Sequence, residues 1–296
     1  TASEGCDNRC TYCAIPKIRG RFRSRPIEEL VEEARGLEEL GVKELCLVAQ
    51  DTTRYGLDLY GKYSLADLVR ALTENTAIPW IRLLYCYPDK ITSELLSELR
   101  DNPRLVKYMD IPIQHISDRV LSAMNRDGDG ATIREAIARL RAAVPDITLR
   151  TTVIVGFPGE TEEEFSELCE FVKEARFDRF GAFCYSPEED TPAAALPDQL
   201  DEQEKQDRYD TVMATQLPIV EEKNAGKIGK KLTVLCEGYD PVAEAHYGRS
   251  EADAPDVDGK IYFFAPRRLE VGEFYTVKIE EAVDYDLVGR VILRKK

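Results

Sequence analysis

The sequence predicts an α/β fold: an open, partial (βα)6 barrel followed by a small all-β barrel of OB-like form. From residue 26 to about 185, apolar strand-like runs alternate with amphipathic helical stretches, the pattern of right-handed crossovers and a parallel sheet buried on both faces. After Lys223 the pattern changes to five short strand-like runs separated by Gly, Pro and Asp. Charge divides at the same place. Residues 1–222 carry 27 Lys+Arg against 42 Asp+Glu, the whole net charge of −15, and residues 223–296 carry 13 of each. The expected organisation is therefore a core domain over 1–222 and a small barrel over 223–296.

Each element has its own signal. A first strand is counted just before the cysteines near residue 6. Pro26 stands at a helix start, and Ile27, Leu30, Val31, Ala34, Leu37 and Leu40 recur at helical spacing until Gly41. Residues 42–49 read as a buried strand, and Leu65, Leu68, Val69 and Leu72 mark the next helix. Strands follow at 80–85, 108–113, 147–155 and 179–185, with helices at 91–99, 117–124 and 131–143. Thr161-x-x-Glu164 is a capping box that opens a helix with Phe165, Leu168, Cys169 and Val172 on its inner face. A last helix runs over 202–223, and the terminal strands lie at 232–236, 243–248, 260–264, 274–280 and 287–293. Six strands fall short of the eight that close a barrel, so the loops at the strand C-terminal ends should hold the site. The cysteine loop, Gln50-Asp51-Thr52-Thr53 and Gly156-Phe157-Pro158-Gly159 should all face one cavity.

The chemistry is concentrated in Cys6-x₃-Cys10-x₂-Cys13. This spacing lets one loop aim three thiolates at one cofactor. Electron-transfer [4Fe–4S] cubes take four cysteines, so a trio leaves one iron open for a ligand. The alternative is half of a structural zinc site, which needs a fourth donor. No second cysteine pair exists to supply one: Cys46, Cys86, Cys169, Cys184 and Cys236 stand singly, and the two histidines are His115 and His246. The single cysteines sit in apolar runs and read as buried thiols in a reducing compartment. Cys86 and Cys184, at strand ends, are either such thiols or sulfur-handling groups.

No apolar run reaches the ~20 residues that span a bilayer, which predicts a soluble, cytoplasmic protein. The acidic body argues against broad phosphate-backbone binding and suits a basic protein partner. Lys17-Ile18-Arg19-Gly20-Arg21-Phe22-Arg23-Ser24-Arg25 is a local exception, either a solvated loop or a contact for an anionic group.

The cysteine loop, with Tyr12 before its last cysteine, resembles the radical S-adenosylmethionine (SAM) superfamily. Cys13-Ala14-Ile15-Pro16-x-x-Arg19-Gly20 and Val155-Gly156-Phe157-Pro158-Gly159-Glu160-Thr161 resemble its methylthiotransferase family, in which a terminal TRAM barrel is typical. Gln50-Asp51-Thr52-Thr53-Arg54-Tyr55-Gly56 and the acidic Ala252-Asp253-Ala254-Pro255-Asp256-Val257-Asp258-Gly259 are similar to the branch that modifies an aspartate of ribosomal protein uS12, and the acidic charge of the second segment also suits a basic protein substrate. The tRNA adenosine methylthiotransferases are the alternative within the family, and a zinc-stabilised binding module is the alternative outside it. By this resemblance Cys6, Cys10 and Cys13 form the catalytic metal centre, holding three irons of a [4Fe–4S] cluster while SAM chelates the fourth. Radical cleavage of SAM then leads to methylthiolation of the aspartate β-carbon. The resemblance also implies an electron donor such as flavodoxin or ferredoxin. It implies an N-terminal domain with a second cluster as well, absent from this stretch, so that the stretch should cleave SAM without completing the transfer.

Cofactor contacts are expected at Tyr12, near the adenine, and at Gln50, Asp51 and Thr52, near the amino group or ribose. Tyr12 also suits loop packing, and the trio a plain helix-entry turn. Gln114 is a further expected ligand, and its neighbour His115 reads equally as a structural histidine. Arg150 is a cation in an apolar strand and needs an anion, either the SAM carboxylate or an Asp or Glu of the chain. Gly156 permits close backbone approach before a helix, for a ligand or for an ordinary tight turn.

Overall fold

The alternating periods of the first two thirds become a parallel sheet with helices between its strands, in a computed structural model that describes residues 1–292. The chain enters through β1 (Ser3–Glu4), passes the cysteine loop and α1 (Ile15–Arg19), and returns along β2 (Arg23–Ser24). Next, α2 (Ile27–Glu39) leads to β3 (Glu44–Leu47), and α3 (Leu57–Tyr60) with α4 (Leu65–Asn75) to β4 (Trp80–Leu83). Then α5 (Ser93–Asp101) precedes β5 (Leu105–Asp110), and α6 (Asp118–Ala123) with α7 (Gly130–Ala143) precedes β6 (Thr148–Val155). Finally α8 (Glu162–Ala175) runs to β7 (Arg179–Cys184), and α9 (Glu202–Ala225) leaves the body. The five strands β3–β7 lie side by side in chain order, all parallel.

The first strand departs from expectation. It pairs antiparallel with β2 in a separate ribbon, and its neighbour Ala2 donates one hydrogen bond, N–H to O of Val48 at 3.0 Å, to the residue just after β3. The reason is length: Gly5, at φ +74°, turns the chain after two paired residues. A Cβ there would lie 2.2 Å from Arg21 O, so only glycine allows the cysteine loop to close on its own return. β5 ends at Asp110 instead of running to 113, just short of Pro112, which lacks a ladder donor. The Thr161 capping box forms with both of its hydrogen bonds.

Five strands make a closed barrel: β8 (Lys231–Asp240), β9 (Ala245–Arg249), β10 (Ile261–Phe264), β11 (Phe274–Val283) and β12 (Asp286–Val291). Its order is β10-β12-β11-β8-β9, closed by the antiparallel β9–β10 pair, with β10 and β12 parallel. Leu293, the expected end of the last strand, lies outside the described residues. Val234, Phe263, Val277, Ile279 and Leu287 fill the barrel. No helix among the described residues is long and apolar enough to cross a membrane.

The parallel sheet has one apolar and one charged face. Ile81, Leu83, Met109, Leu149, Val153 and Val155 pack in the apolar core shared with the helices. By strand register Cys46, Arg82, Asp110, Arg150 and Arg179 share the opposite face. The segment after β9 fills that face. Asp253 pairs with Arg179, and Asp258 accepts from the Tyr108 hydroxyl at 2.6 Å and lies 3.6 Å from Arg150. Glu44 bridges Arg82 and Arg249, at 2.6 Å to each. The acidic segment 252–259, read from sequence as a match for a basic partner, thus spends Asp253 and Asp258 on the chain's own arginines. Burial pushes the Asp253 carboxyl up, but Arg179 and Lys227 outweigh it and hold it below the usual carboxylate range.

Candidate active site at the cysteine loop

Cys6, Cys10 and Cys13 line one cavity of about 150 Å³ at the C-terminal ends of the strands. The loop between them is held from two sides. Asp51, fully buried after β3, accepts from Asn8 Nδ2 at 2.9 Å, Lys90 Nζ at 2.9 Å, Thr53 Oγ1 at 2.7 Å and Arg54 N–H at 3.2 Å. Asn8 lies within the Cys6-x₃-Cys10 spacer, so Asp51 fixes the loop directly. The other spacer acid, Asp7, takes both the Arg21 guanidinium and the Phe22 N–H, and Arg21 holds its carboxyl down at about 2. On the far side the end of α6 grips the loop: Thr11 N–H and Oγ1 donate to Met124 O and Ala123 O, and Asn125 Nδ2 donates to Arg9 O.

The other residues lining the cavity are Asn8, Tyr12, Ile15, Gln50, Tyr85, Tyr87, Pro112, Gln114 and Arg126. They include no carboxylate, imidazole or fourth thiol. Arg126 is the one cation. Its guanidinium sits 4.0 Å from the Tyr87 ring centroid and 3.9 Å from Cys10 Sγ, and it donates to Pro112 O at 2.8 Å. Tyr85 and Gln114, at φ +58° and +69°, are two non-glycine residues in the left-handed region on the same cavity wall. Such conformations concentrate where a site fixes the backbone.

The donor set suits a cuboidal cluster. Three thiols face one space, each free to meet a different iron, while no three His, Cys, Asp or Glu side chains among the described residues gather closely enough for a single ion. Burial pushes the Cys6 thiol up to about 11 and raises that of Cys13, so bound metal must supply the charge that keeps both as thiolates. The fourth corner of a cube would face side chains that are not thiolates.

The expected cofactor contacts divide. Tyr12, Gln50 and Gln114 share the cavity with the cysteines. Asp51 has its oxygens engaged as described, and Thr52 Oγ1 donates to Leu84 O at 2.6 Å. Arg150 meets Asp110 at 2.9 Å and Asp258, the internal-partner alternative for its charge. Gly156 faces α9, where a Cβ would come 2.4 Å from Lys205 Cγ, and its turn does not line the cysteine cavity. Phe157 of that turn packs edge-on against Tyr185, and Glu160 binds Arg208 at 2.6 Å beside His115, 3.5 Å away. Cys86 is fully buried, and Cys184 Sγ donates to Lys205 O at 3.4 Å. The basic run is largely paired in place: Lys17 with Asp190, Arg19 with Glu4, Arg21 with Asp7, and Arg25 with Glu33. Sequence reading missed Arg126, Tyr87, Tyr85 and Asn8. Asn8 alone carried a signal, its place inside the cysteine spacing.

A partial parallel barrel whose first loop presents three cysteines to an open cavity defines a class. Residues 1–172 match the radical SAM superfamily and residues 228–292 the TRAM domain; the chain belongs to the radical SAM superfamily. That membership implies a [4Fe–4S] cluster and SAM. The chain is 50% identical over 289 residues to the ribosomal protein uS12 methylthiotransferase RimO of Clostridium botulinum, covering 98% of this chain and 64% of that protein. It is 52% identical over 290 residues to the RimO of Caldicellulosiruptor saccharolyticus, at 98% and 66% coverage. The chain therefore spans less than two thirds of the length of these relatives. In fold it is similar to coproporphyrinogen III oxidase (HemN) from Escherichia coli, a radical SAM enzyme, with TM-score 0.52 and 18% identity over 74% of this chain and 51% of that one.

Proposed function

We propose that this chain is the cluster- and SAM-binding part of a radical SAM methylthiotransferase that modifies the β-carbon of an aspartate in ribosomal protein uS12. The observation that carries this reading is the three-cysteine cavity in a chain about half identical, over nearly its whole length, to uS12 methylthiotransferases. When bound, the reduced cluster with SAM supplies homolytic cleavage of SAM and an adenosyl radical able to take a hydrogen atom. The chain's own residues position and shield that chemistry. Cys6, Cys10 and Cys13 hold the cluster, and Arg126 offsets its negative charge beside Cys10. Tyr12, Gln50 and Gln114, which share the cavity with the cysteines, orient SAM in this reading, whereas Asp51 positions the cysteine loop through Asn8. Tyr85 and Tyr87 supply aromatic walls that help exclude water. The working compartment is the cytoplasm, where uS12 is made and thiols stay reduced.

The test follows the hydrogen atom. The reconstituted chain, reduced anaerobically, is incubated with SAM and with uS12 labelled with deuterium at the aspartate β-carbon. Deuterium in the released 5′-deoxyadenosine is expected. 5′-Deoxyadenosine that stays unlabelled in repeated turnovers, or label that appears only when a parallel reaction supplies deuterated tRNA in place of uS12, overturns the proposed substrate. The readout does not depend on sulfur delivery or on a second cluster.

A further inference from the structure

The cysteine cavity has a neighbour. A second cavity, of about 330 Å³, is lined by Ser3, Glu4, Arg19, Ala49, Gln50 and Tyr85, the last three following the C-terminal ends of β3 and β4. Gln50 and Tyr85 also line the cysteine cavity, so the two share a wall. That wall is held firmly. Tyr85 sits at φ +58°, its N–H donates to Asp110 Oδ2 at 3.0 Å, and its carbonyl accepts from Thr52 N–H at 3.0 Å, while its ring stays half exposed. At about 150 Å³ the cysteine cavity is smaller than the ~300 Å³ at which small-molecule sites usually begin. It has no room for a substrate side chain beside the cofactors it would hold, and the adjoining cavity supplies that room.

Two polar side chains of the second cavity are unspent. Ser3 is 2% exposed and its Oγ has no hydrogen-bond partner, although buried hydroxyls ordinarily have one. Arg19 belongs to the basic run, in which Lys17, Arg21 and Arg25 turn to Asp190, Asp7 and Glu33. Its own carboxylate contact, Glu4 at 3.7 Å, is longer than a hydrogen bond and joins two half-exposed side chains. Such a pair contributes little, and a carboxylate that binds the guanidinium through both oxygens displaces it readily. Resting on the function proposed above, we propose that Arg19 is a specificity-determining residue: its guanidinium holds the side-chain carboxylate of the uS12 aspartate in this cavity, and the Ser3 hydroxyl donates a further hydrogen bond. The β-carbon that gives up a hydrogen atom is one bond from the carboxylate carbon. A planar fork gripping both oxygens therefore fixes the reacting carbon as well.

The test measures initial rates of deuterium transfer into 5′-deoxyadenosine by the reconstituted chain. The donor is uS12 labelled at the β-carbon of the target residue, which is either the native aspartate or asparagine. The parent should prefer aspartate by roughly 10- to 100-fold in kcat/KM, the range of a hydrogen bond to a charged group. Arg19→Gln should cut that preference to about threefold or less, chiefly by raising KM for the aspartate substrate. Arg19→Lys, which keeps the charge without the fork, should restore part of it. Arg19 is exposed, and an unchanged unfolding midpoint shows that its variants are folded. Lys17→Gln, in the same basic run, should keep the parent preference. Transfer by the parent with an aspartate preference that survives Arg19→Gln overturns this proposal alone. A SAM dissociation constant raised by Arg19→Gln as much as the aspartate KM also overturns it, by assigning the residue to the cofactor. No transfer from uS12 by the parent overturns the proposed function, and the role of Arg19 with it.

Discussion

Replacing Asp253 with alanine tests whether the acidic segment is an internal clamp. The carboxylate is 2% exposed; one oxygen meets Arg179 and the other accepts from Ser250 Oγ at 2.6 Å and Ser250 N–H at 3.2 Å. Its removal strands a guanidinium that is 6% exposed, whose Nε has no partner and whose remaining acceptor is the Asp178 carbonyl at 3.2 Å. Lys227 adds like charge nearby. Breaking a buried pair from one side costs about 3–5 kcal/mol, and we expect Asp253→Ala to fall in that range. Asp253→Asn, which keeps the shape and part of the hydrogen bonding, should cost less. Urea unfolding followed by the fluorescence of Trp80, the only tryptophan, reads the right place, because its ring packs edge-on to Phe274 of the small barrel at 4.7 Å. Asp256→Asn is the control: Asp256 is exposed and should shift stability by no more than about 0.5 kcal/mol. A loss below about 1 kcal/mol for Asp253→Ala would refute the clamp and return the segment to the surface role its charge suggests.

Two further outcomes follow from the site. Asn8→Ala removes the donor that ties the cysteine loop to Asp51 but leaves the buried Lys90–Asp51 pair. Iron retention during gel filtration should fall severalfold while global stability changes by about 1 kcal/mol or less; intact iron retention would mean the tether does not position the loop. Glu164, held at about 2 chiefly by the Arg119 guanidinium, has a folded pKa below its unfolded one. Its contribution is therefore complete above pH ~4.5 and lost as pH falls toward 2, with a size of about 1 kcal/mol after screening, since Arg119 is half exposed. Comparing unfolding midpoints of the parent and Glu164→Gln across pH 2–6 checks this; a difference that persists at pH 2 contradicts the assignment.

The parts of this protein legible in sequence are those set by local chemistry. The Cys6-Cys10-Cys13 spacing, the Thr161 capping box and the hydrophobic periods each depend on residues within a few positions of one another, and each took its expected form. The misreadings involve partners far apart in the chain. Asp253 and Asp258 read as solvent-facing acids because charge is normally exposed; their burial depends on Arg179, Tyr108 and Arg150, which other strands bring to one face. Asp51 stands where a ligand contact belongs, yet Lys90 and Asn8 occupy it. Arg126 and Tyr87 enter the cavity from separate loops, and nothing near either in sequence marks it. The first strand failed to join the sheet for a local reason that could have been weighed: two residues before a left-handed glycine are too few to extend a ladder.

The central claim, three thiolates gripping a cube that leaves one corner for SAM, is tested by metal content and SAM binding on one anaerobically reconstituted sample. The expected result is about four irons per chain, brown absorbance that vanishes in Cys10→Ala, and a SAM-dependent change in the reduced cluster's electron paramagnetic resonance spectrum. A colourless protein with one zinc per chain, or a cluster whose spectrum ignores SAM, contradicts it.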